Sequence, residues 1–315
     1  MQPNLDLIVA ARRNLTPEIC QFELRDPRGA PLPKFTAGSH IIVTTPAGVI
    51  RSYSLNNDEI EDHRYVISVK REEGGRGGSI SMHRDVREGG RLSVSPPHND
   101  LELRPARNYL LIAGGIGITP IYSMFVKLRR EGHDRLRLIY CTRTPEDTAY
   151  LDELSAGAVE PFVAIHHSHA GIGGLFDFWP YFEKPSDTHI YYCGPKPMMD
   201  AIYAQTIHWP RRAIHYEDFA GVSGISIGSR AFRVRRAATG ETIDIPADRT
   251  IVETFRSLGL KPVSSCESGT CGTCRVRLVS GEADHRDLFL SEEDRKTNFM
   301  PCVSRALGEE ICLDM

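Results

Sequence analysis

Short apolar runs separated by turn residues fill the first third of the chain, and apolar runs alternating with helically spaced segments follow. The first region, residues 1–104, has β-type runs between Pro- and Gly-rich turns, which predicts an antiparallel barrel or sandwich. The second region, residues 105–223, alternates strands with helices, which is typical of a parallel α/β sheet. The predicted strands are Leu5–Ala10, His40–Thr44, Tyr65–Lys70, Arg91–Ser95, Tyr109–Ala113, Leu136–Tyr140, Phe162–His166 and His189–Tyr192, and the predicted helices are Ile121–Arg130 and Lys196–Gln205.

A third region follows an uncharged Gly- and Ser-rich segment, whose residues 224–229 we interpret as a flexible linker. In residues 230–315, the runs Phe232–Arg236 and Thr242–Ile245 predict a hairpin, and Thr250–Leu258 predicts a helix. The sequence therefore predicts three domains, each able to bury its own core.

Composition narrows the class of protein. The 315 residues are 41% hydrophobic and 25% charged, with a formal net charge of -3. This balance gives no basic footprint for nucleic acid, and no apolar run reaches the roughly 18 residues that a membrane helix needs. We therefore expect a cytoplasmic monomer without a membrane or nucleic-acid partner.

Four of the eight cysteines form a cluster motif: Cys266, Cys271 and Cys274 have the spacing C-x4-C-x2-C, and Cys302 follows. This is the plant-type pattern for a [2Fe–2S] cluster, and Gly269 and Gly272 would let the loop bend around it. Structural zinc is the alternative, but it usually takes two paired cysteine knuckles, and the second half offers one cysteine.

Two strand-to-helix turns suit a dinucleotide. The first contains Gly114, Gly115, Ile116, Gly117, Ile118, Thr119 and Pro120, and the second contains Cys193, Gly194 and Pro195. On one parallel sheet, both turns would lie at the carboxyl ends of strands, where open α/β sheets bind ligands. Cys193 could equally be a small buried hydrophobe.

A flavin-binding motif is predicted in the first domain. Arg51 can neutralise a phosphate, Tyr53 offers an aromatic face, and Ser54 can hydrogen-bond a ring edge. Ser68-Val69-Lys70 and the Gly-rich segment 74–79, which opens a short helix, add a cation and free backbone N–H groups.

The order of these motifs resembles the phthalate dioxygenase reductase family over nearly the whole chain. The two turns together resemble the nucleotide domain of the ferredoxin–NADP reductase superfamily, here residues 105–223, and residues 230–315 are similar to the β-grasp fold of plant-type ferredoxins. The resemblance implies FMN bound in the first domain, Cys193 near the nicotinamide, and Phe219 beside the flavin ring. It implies that FMN is held by Arg51, Ser52, Tyr53, Ser54, Ser68, Val69, Lys70, Arg76, Gly77, Gly78 and Ser79.

These sites together predict a relay. A nicotinamide gives up two electrons as a hydride, a [2Fe–2S] cluster accepts one electron, and a flavin can do both. We therefore predict a reductase that takes electrons from NADH and supplies a separate oxygenase, of the Rieske ring-hydroxylating or O-demethylating kind, because no Rieske or haem motif occurs in the chain. The alternatives are a non-catalytic electron carrier or redox sensor, and FAD in place of FMN.

Three smaller features bear on the nucleotide, on metal binding and on packing. Ser168 has no adjacent cation for a 2′-phosphate, although Arg143 could supply one, so NADH is favoured over NADPH. The histidines at 166, 167 and 169 are interpreted as solvated rather than as a metal site. Trp179 and Trp209 are interpreted as packing residues.

Overall fold

The computed structural model describes residues 4–74, 77–169, 174–219, 225, 228–264, 267–269 and 272–315. Two compact units make up the chain, Met1–Asp218 and Phe219–Met315. The predicted linker 224–229 lies mostly outside the described residues, and so do Arg76, Cys266 and Cys271.

The first unit begins with a six-stranded antiparallel barrel. Its strand order is β4-β3-β6-β1-β2-β5, and an antiparallel bridge between Leu55 and Ile67 joins the two edges of the sheet. The predicted antiparallel barrel is therefore confirmed. Its strands are β1 Leu5–Asn14, β2 Ile19–Arg25, β3 His40–Thr44, β4 Ile50–Ser54, β5 Tyr65–Lys70 and β6 Arg91–Val94, and the short helix α1 Gly78–Asp85 lies between β5 and β6.

Two of these strands, β2 and β4, were missing from the prediction, although the side chains of β2 alternate as a barrel requires. On β2, Cys20, Phe22 and Leu24 belong to the barrel core, while the residues between them lie on the other face. The flavin motif was expected to follow a strand, but it forms the edge strand β4 itself.

A five-stranded parallel sheet completes the first unit. Its strand order is β11-β10-β7-β8-β9. The chain proceeds from β7 through β8 to β9 on one side and continues with β10 and β11 on the other side of β7. The switch point, where open α/β sheets bind ligands, therefore lies between β7 and β10. The strands are β7 Asn108–Gly114, β8 Leu136–Thr142, β9 Val163–His167, β10 Thr188–Cys193 and β11 Ile214–Glu217, and the helices are α2 Ile118–Arg130, α3 Leu151–Leu154, α4 Trp179–Phe182 and α5 Lys196–Gln205.

The second unit has a mixed five-stranded sheet of the β-grasp type. The order is β13-β12-β18-β14-β16, with β12 parallel to the last strand β18. The predicted hairpin has the predicted bounds, and Thr250 caps the predicted helix in a reciprocal capping box with Glu253. The elements are β12 Phe232–Arg236, β13 Thr242–Ile245, α6 Ile251–Ser257, β14 Val276–Ser280, β15 Ala283–Asp284, β16 Asn298–Phe299, β17 Arg305–Ala306 and β18 Glu310–Asp314.

Two remaining expectations can be compared with the fold. Trp209 is buried and donates its indole N–H to the Phe182 carbonyl at 2.8 Å, as a packing residue should. Trp179 is 47% exposed, so its interpretation as a packing residue is wrong. No helix in the described part of the chain is long and apolar enough to cross a bilayer.

Candidate functional site

Strand β4 places the flavin motif at the edge of the barrel. Its residues Arg51 to Ser54 pair with Val43 to His40 of β3. The hydroxyl oxygens of Tyr53 and Ser54 are both buried, and neither has a hydrogen-bond partner among the described residues. Burial raises the pKa of Tyr53 to about 12, so the phenol stays protonated at neutral pH. Two buried polar atoms without partners are what a bound polar ligand would satisfy.

The first turn of helix α1 lies beside Arg51. A Cβ built on Gly78 would come within 3.4 Å of Arg51 Cγ, so the start of helix α1 lies against this side chain. Helix α1 has no side-chain cap, and Gly77 precedes it in the left-handed conformation with φ 82°. The first N–H groups of a helix lack intrahelical acceptors and favour an anion, and the arginine adds a positive charge. Among the described residues, Arg51 has no carboxylate partner.

Strand β5 divides the predicted flavin residues between two faces. The Val69 side chain is in the barrel core, so only its backbone can face a ligand. Lys70 Nζ lies 2.7 Å from Glu72, whose backbone N–H donates to Ser79 Oγ at 3.0 Å. The structure thus brings Lys70 and Ser79 to the same end of the site through Glu72.

Tyr150 was missed by the sequence analysis. Its backbone is left-handed, with φ 61°, and its hydroxyl lies 2.7 Å from Ser68 Oγ. The ring of Tyr150 stacks on Tyr122 of helix α2 with centroids 4.3 Å apart. Ser68 is therefore held by a residue of the nucleotide-binding half of the unit. No local pattern announces a tyrosine with positive φ, because the conformation is imposed by its packing.

The two glycine turns meet each other at the switch point. A Cβ on Gly117 would lie 2.2 Å from the Cys193 carbonyl oxygen, and one on Gly114 would lie 2.6 Å from Pro195 Cδ. A Cβ on Gly194 would lie 3.0 Å from Gly114 Cα. These three glycines are needed for the close approach of the two turns, which is a packing role that we had not predicted.

Gly115 differs from its neighbours. It has φ 52°, and a Cβ built on it meets nothing within 4 Å. The turn Gly115–Gly117 therefore keeps one open side, where a ligand can reach the backbone. Ile118, Thr119 and Pro120 do not extend this turn, because they form the buried first turn of α2.

Cys193 lies at the end of β10 and is fully buried. Burial raises the pKa of its thiol well above the usual value, and the neighbouring carboxylates Glu217 and Asp218 raise it further. The side chain is therefore a neutral thiol at physiological pH, placed at the switch point but not activated as a nucleophile.

The histidines after β9 have local partners. His166 Nε2 lies 2.8 Å from the Gly174 carbonyl oxygen, and His167 Nδ1 lies 2.8 Å from Thr142 Oγ1. No group of metal-binding side chains is found within the described residues. Arg143, the candidate cation for a 2′-phosphate, lies 3.4 Å from Glu18 and 3.5 Å from Asp147.

In the second unit, two predicted cluster ligands come together. The sulfur atoms of Cys274 and Cys302 are 3.1 Å apart, and both side chains are buried. Gly269 and Gly272 have φ 76° and 77°, and Cβ atoms on them would collide with Val303 and Phe289. The expected sharp bends of this loop are therefore present. Cys266 and Cys271 lie outside the described residues, and Phe219 is 40% exposed at the start of this unit.

Comparisons with known proteins identify two domains of this chain and its family. Residues 234–307 match the 2Fe-2S iron-sulfur cluster binding domain, and residues 111–162 match the oxidoreductase NAD-binding domain. Phthalate dioxygenase reductase of Burkholderia cepacia is 46% identical over 99% of this chain and 97% of its own length. Vanillate O-demethylase oxidoreductase of Pseudomonas putida is 36% identical over 99% of this chain and 100% of its own length. A solved structure of phthalate dioxygenase reductase superposes with a TM-score of 0.85, covering 99% of this chain and 98% of that chain.

Fold and matched domains together define an oxidoreductase that joins a flavin barrel, an NAD-binding sheet and a [2Fe–2S] domain. The chain belongs to the phthalate dioxygenase reductase family. It is an NADH-dependent oxidoreductase, and its cofactors are FMN, a [2Fe–2S] cluster and NADH. The predicted family, enzyme class and cofactors are thereby confirmed.

Proposed function

We propose that this chain is the reductase component of a multicomponent oxygenase. It takes electrons in pairs from NADH and delivers them singly, through its [2Fe–2S] domain, to a separate oxygenase of the Rieske ring-hydroxylating or O-demethylating type. The names of its relatives support this role, since they include the reductase subunit of phthalate 4,5-dioxygenase from Pseudomonas putida at 46% identity. When bound, FMN supplies the step from hydride acceptance to one-electron release.

One observation carries the first half of the proposal. Strand β5 of the barrel and the turn Gly115–Gly117 lie within 8 Å of each other, measured between Cα atoms. The open side of Gly115 and strand β5, which carries residues of the proposed flavin site, therefore lie at the same end of the unit. A dinucleotide bound at the switch point would place its nicotinamide close to the barrel, as hydride transfer requires.

The residues of the barrel fit FMN. Arg51 and the uncapped start of α1 would hold its phosphate, and the unpartnered hydroxyls of Tyr53 and Ser54 would bind its polar edges. We assign the same site to Ser52, Ser68, Val69, Lys70, Arg76, Gly77, Gly78 and Ser79, and we place Phe219 beside the flavin ring.

The residues of the switch point fit NADH. Gly115 leaves its backbone open to the pyrophosphate, while the neutral thiol of Cys193 adds no charge beside the nicotinamide. We assign Ile116, Ile118, Thr119, Pro120, Gly194 and Pro195 to the same site. The thiolates of Cys266, Cys271, Cys274 and Cys302 would hold the [2Fe–2S] cluster.

An anaerobic titration tests the proposal. The purified holoenzyme is titrated with NADH while the flavin and cluster absorbances are followed, and it is then mixed with the oxygenase component of phthalate dioxygenase from Burkholderia cepacia. We expect NADH to bleach both chromophores and the oxygenase to reoxidise them within seconds. A cluster that stays oxidised in NADH, or a reduced reductase that this oxygenase does not reoxidise, would overturn the proposed role.

A further inference from the structure

The second unit carries a cleft next to the predicted cluster ligand Cys274. The cleft has a volume of about 480 Å³, and Cys274 is one of its lining residues. It opens between the end of helix α6, the segment that follows it, and the chain on either side of Cys274. This volume lies within the range of specific binding sites, roughly 300–1,000 Å³.

The walls of the cleft are mostly apolar. Phe255 and Val252 come from helix α6, Val263 from the segment after it, and Met315 from the end of the chain. Val263 is 57% exposed, which leaves an apolar side chain facing water at the mouth of the cleft. An exposed apolar surface of this kind gains free energy when a partner covers it.

The charge around the cleft has one sign. Arg236, Lys261 and Arg275 line it, and none of the described residues that line it is acidic. Arg236 already forms an ion pair, because its guanidinium lies 2.9 Å from the Glu241 carboxylate. Lys261 and Arg275 are exposed, and neither has an ion-pair partner in the described part of the chain. The pKa of Asp294 is lowered by its hydrogen bond with Ser291 and also by the charge of Arg275, so Arg275 is partly compensated. Lys261 and the partly compensated Arg275 thus flank the apolar walls of the cleft, although the whole chain has a net charge of -3.

We propose that this cleft is the docking site for the electron-accepting oxygenase, which inserts a segment carrying an apolar side chain flanked by carboxylates. This inference rests on the proposed function. The positive charge favours an acidic partner and speeds its association, while the apolar walls of the cleft stabilise the complex. Because Cys274 lines the cleft, a segment seated there lies directly against a cluster ligand, where an electron can leave the chain.

Charge reversal in the full-length holoenzyme tests the docking site. The variants are Lys261→Glu and Arg275→Glu, and Arg249→Glu is the matched control. Arg249 is exposed, precedes helix α6 and is absent from the lining of the cleft. The probe is the oxygenase component of phthalate dioxygenase from Burkholderia cepacia, and its reduction is followed by stopped-flow absorbance at several salt concentrations.

We expect each cleft variant to raise the KM for the oxygenase about tenfold at low salt and to flatten its dependence on salt, while the control behaves like wild type. The rate at which NADH reduces the variant's own cluster should stay unchanged, which shows that folding and internal transfer are intact. Lys261→Gln and Arg275→Gln serve as milder variants if a reversed charge disturbs the cluster loop.

The two proposals fail in different ways. Wild-type reductase that passes no electrons to the oxygenase refutes the proposed function. Wild-type activity with cleft variants that match Arg249→Glu in KM and salt dependence refutes the docking site alone.

Discussion

Replacing Gly117 by alanine tests whether the two glycine turns must touch. The backbone of Gly117 has φ -60° and ψ -6°, which any L residue adopts, so alanine adds no backbone strain there. Its Cβ, however, would lie 2.2 Å from the Cys193 carbonyl oxygen and 2.7 Å from the Gly194 nitrogen. A carbon and an oxygen in contact are about 3.3 Å apart, so the turns would have to separate by about 1 Å.

The change in the free energy of unfolding has two opposing contributions. Overpacking against atoms that can move costs roughly 1–3 kcal/mol, and here the opposing atoms are backbone, so we take about 3 kcal/mol. Alanine at a helix start gains at most about 1 kcal/mol over glycine. The free energy of unfolding of the first unit should therefore fall by about 2 kcal/mol, and the KM for NADH should rise if both turns form its site, as we propose.

The assay is urea denaturation followed by flavin fluorescence, combined with steady-state kinetics at varied NADH. Gly157→Ala is the control, because a Cβ on Gly157 meets nothing within 4 Å, and its stability should stay within about 0.5 kcal/mol of wild type. A Gly117→Ala variant with wild-type stability and an unchanged KM would show that the turns do not depend on this contact.

Three further predictions follow from the same structure. Tyr53→Phe removes a buried hydroxyl without a protein partner, so it should leave the flavin-free protein as stable as before and weaken FMN binding by about 1 kcal/mol in a fluorescence titration; unchanged affinity would exclude the contact. Cys274→Ser should abolish the cluster absorbance while NADH still bleaches the flavin, and a retained cluster spectrum would remove Cys274 from the ligands. Burial lowers the pKa of His215 from 6.5 to about 4, so the unfolded chain binds a proton between these pH values that the folded chain does not. Stability should therefore fall as pH falls from 6.5 to 4, and calorimetry of His215→Phe should show a shallower decline; an equal slope would contradict the assignment.

The cluster loop shows how far local spacing can be trusted. The cysteine pattern and the two glycines predicted a sharply bent loop, and Gly269 and Gly272 adopt the positive φ that such bends need. The loop's geometry follows from residues a few positions apart, so its conformation can be read from the chain. The spacing could not show that the Phe289 ring lies against Gly272, or that the backbone of Asp287 lies against Gly269.

The glycine turns of the first unit show the limit of that approach. Gly114 and Gly117 were expected to make room for a dinucleotide, yet their missing Cβ atoms make room for Pro195 and Cys193. Only Gly115 keeps an open side. Residues nearly 80 positions apart meet here because β7 and β10 are neighbours in the sheet, and no local pattern states which strands will pair.

The amino-acid sequence by itself determined the order of the three regions of different hydrophobic pattern, the cysteine spacing and the cofactor chemistry, since hydrophobic period and motif spacing are properties of short segments. Only the tertiary structure decided that Tyr150 would contact Ser68, that the buried hydroxyls of Tyr53 and Ser54 would lack partners among the described residues, and that Lys261 and Arg275 would line an apolar cleft. These features arise from contacts between distant segments, whose partners are chosen by packing of the whole domain rather than by the preferences of neighbouring residues.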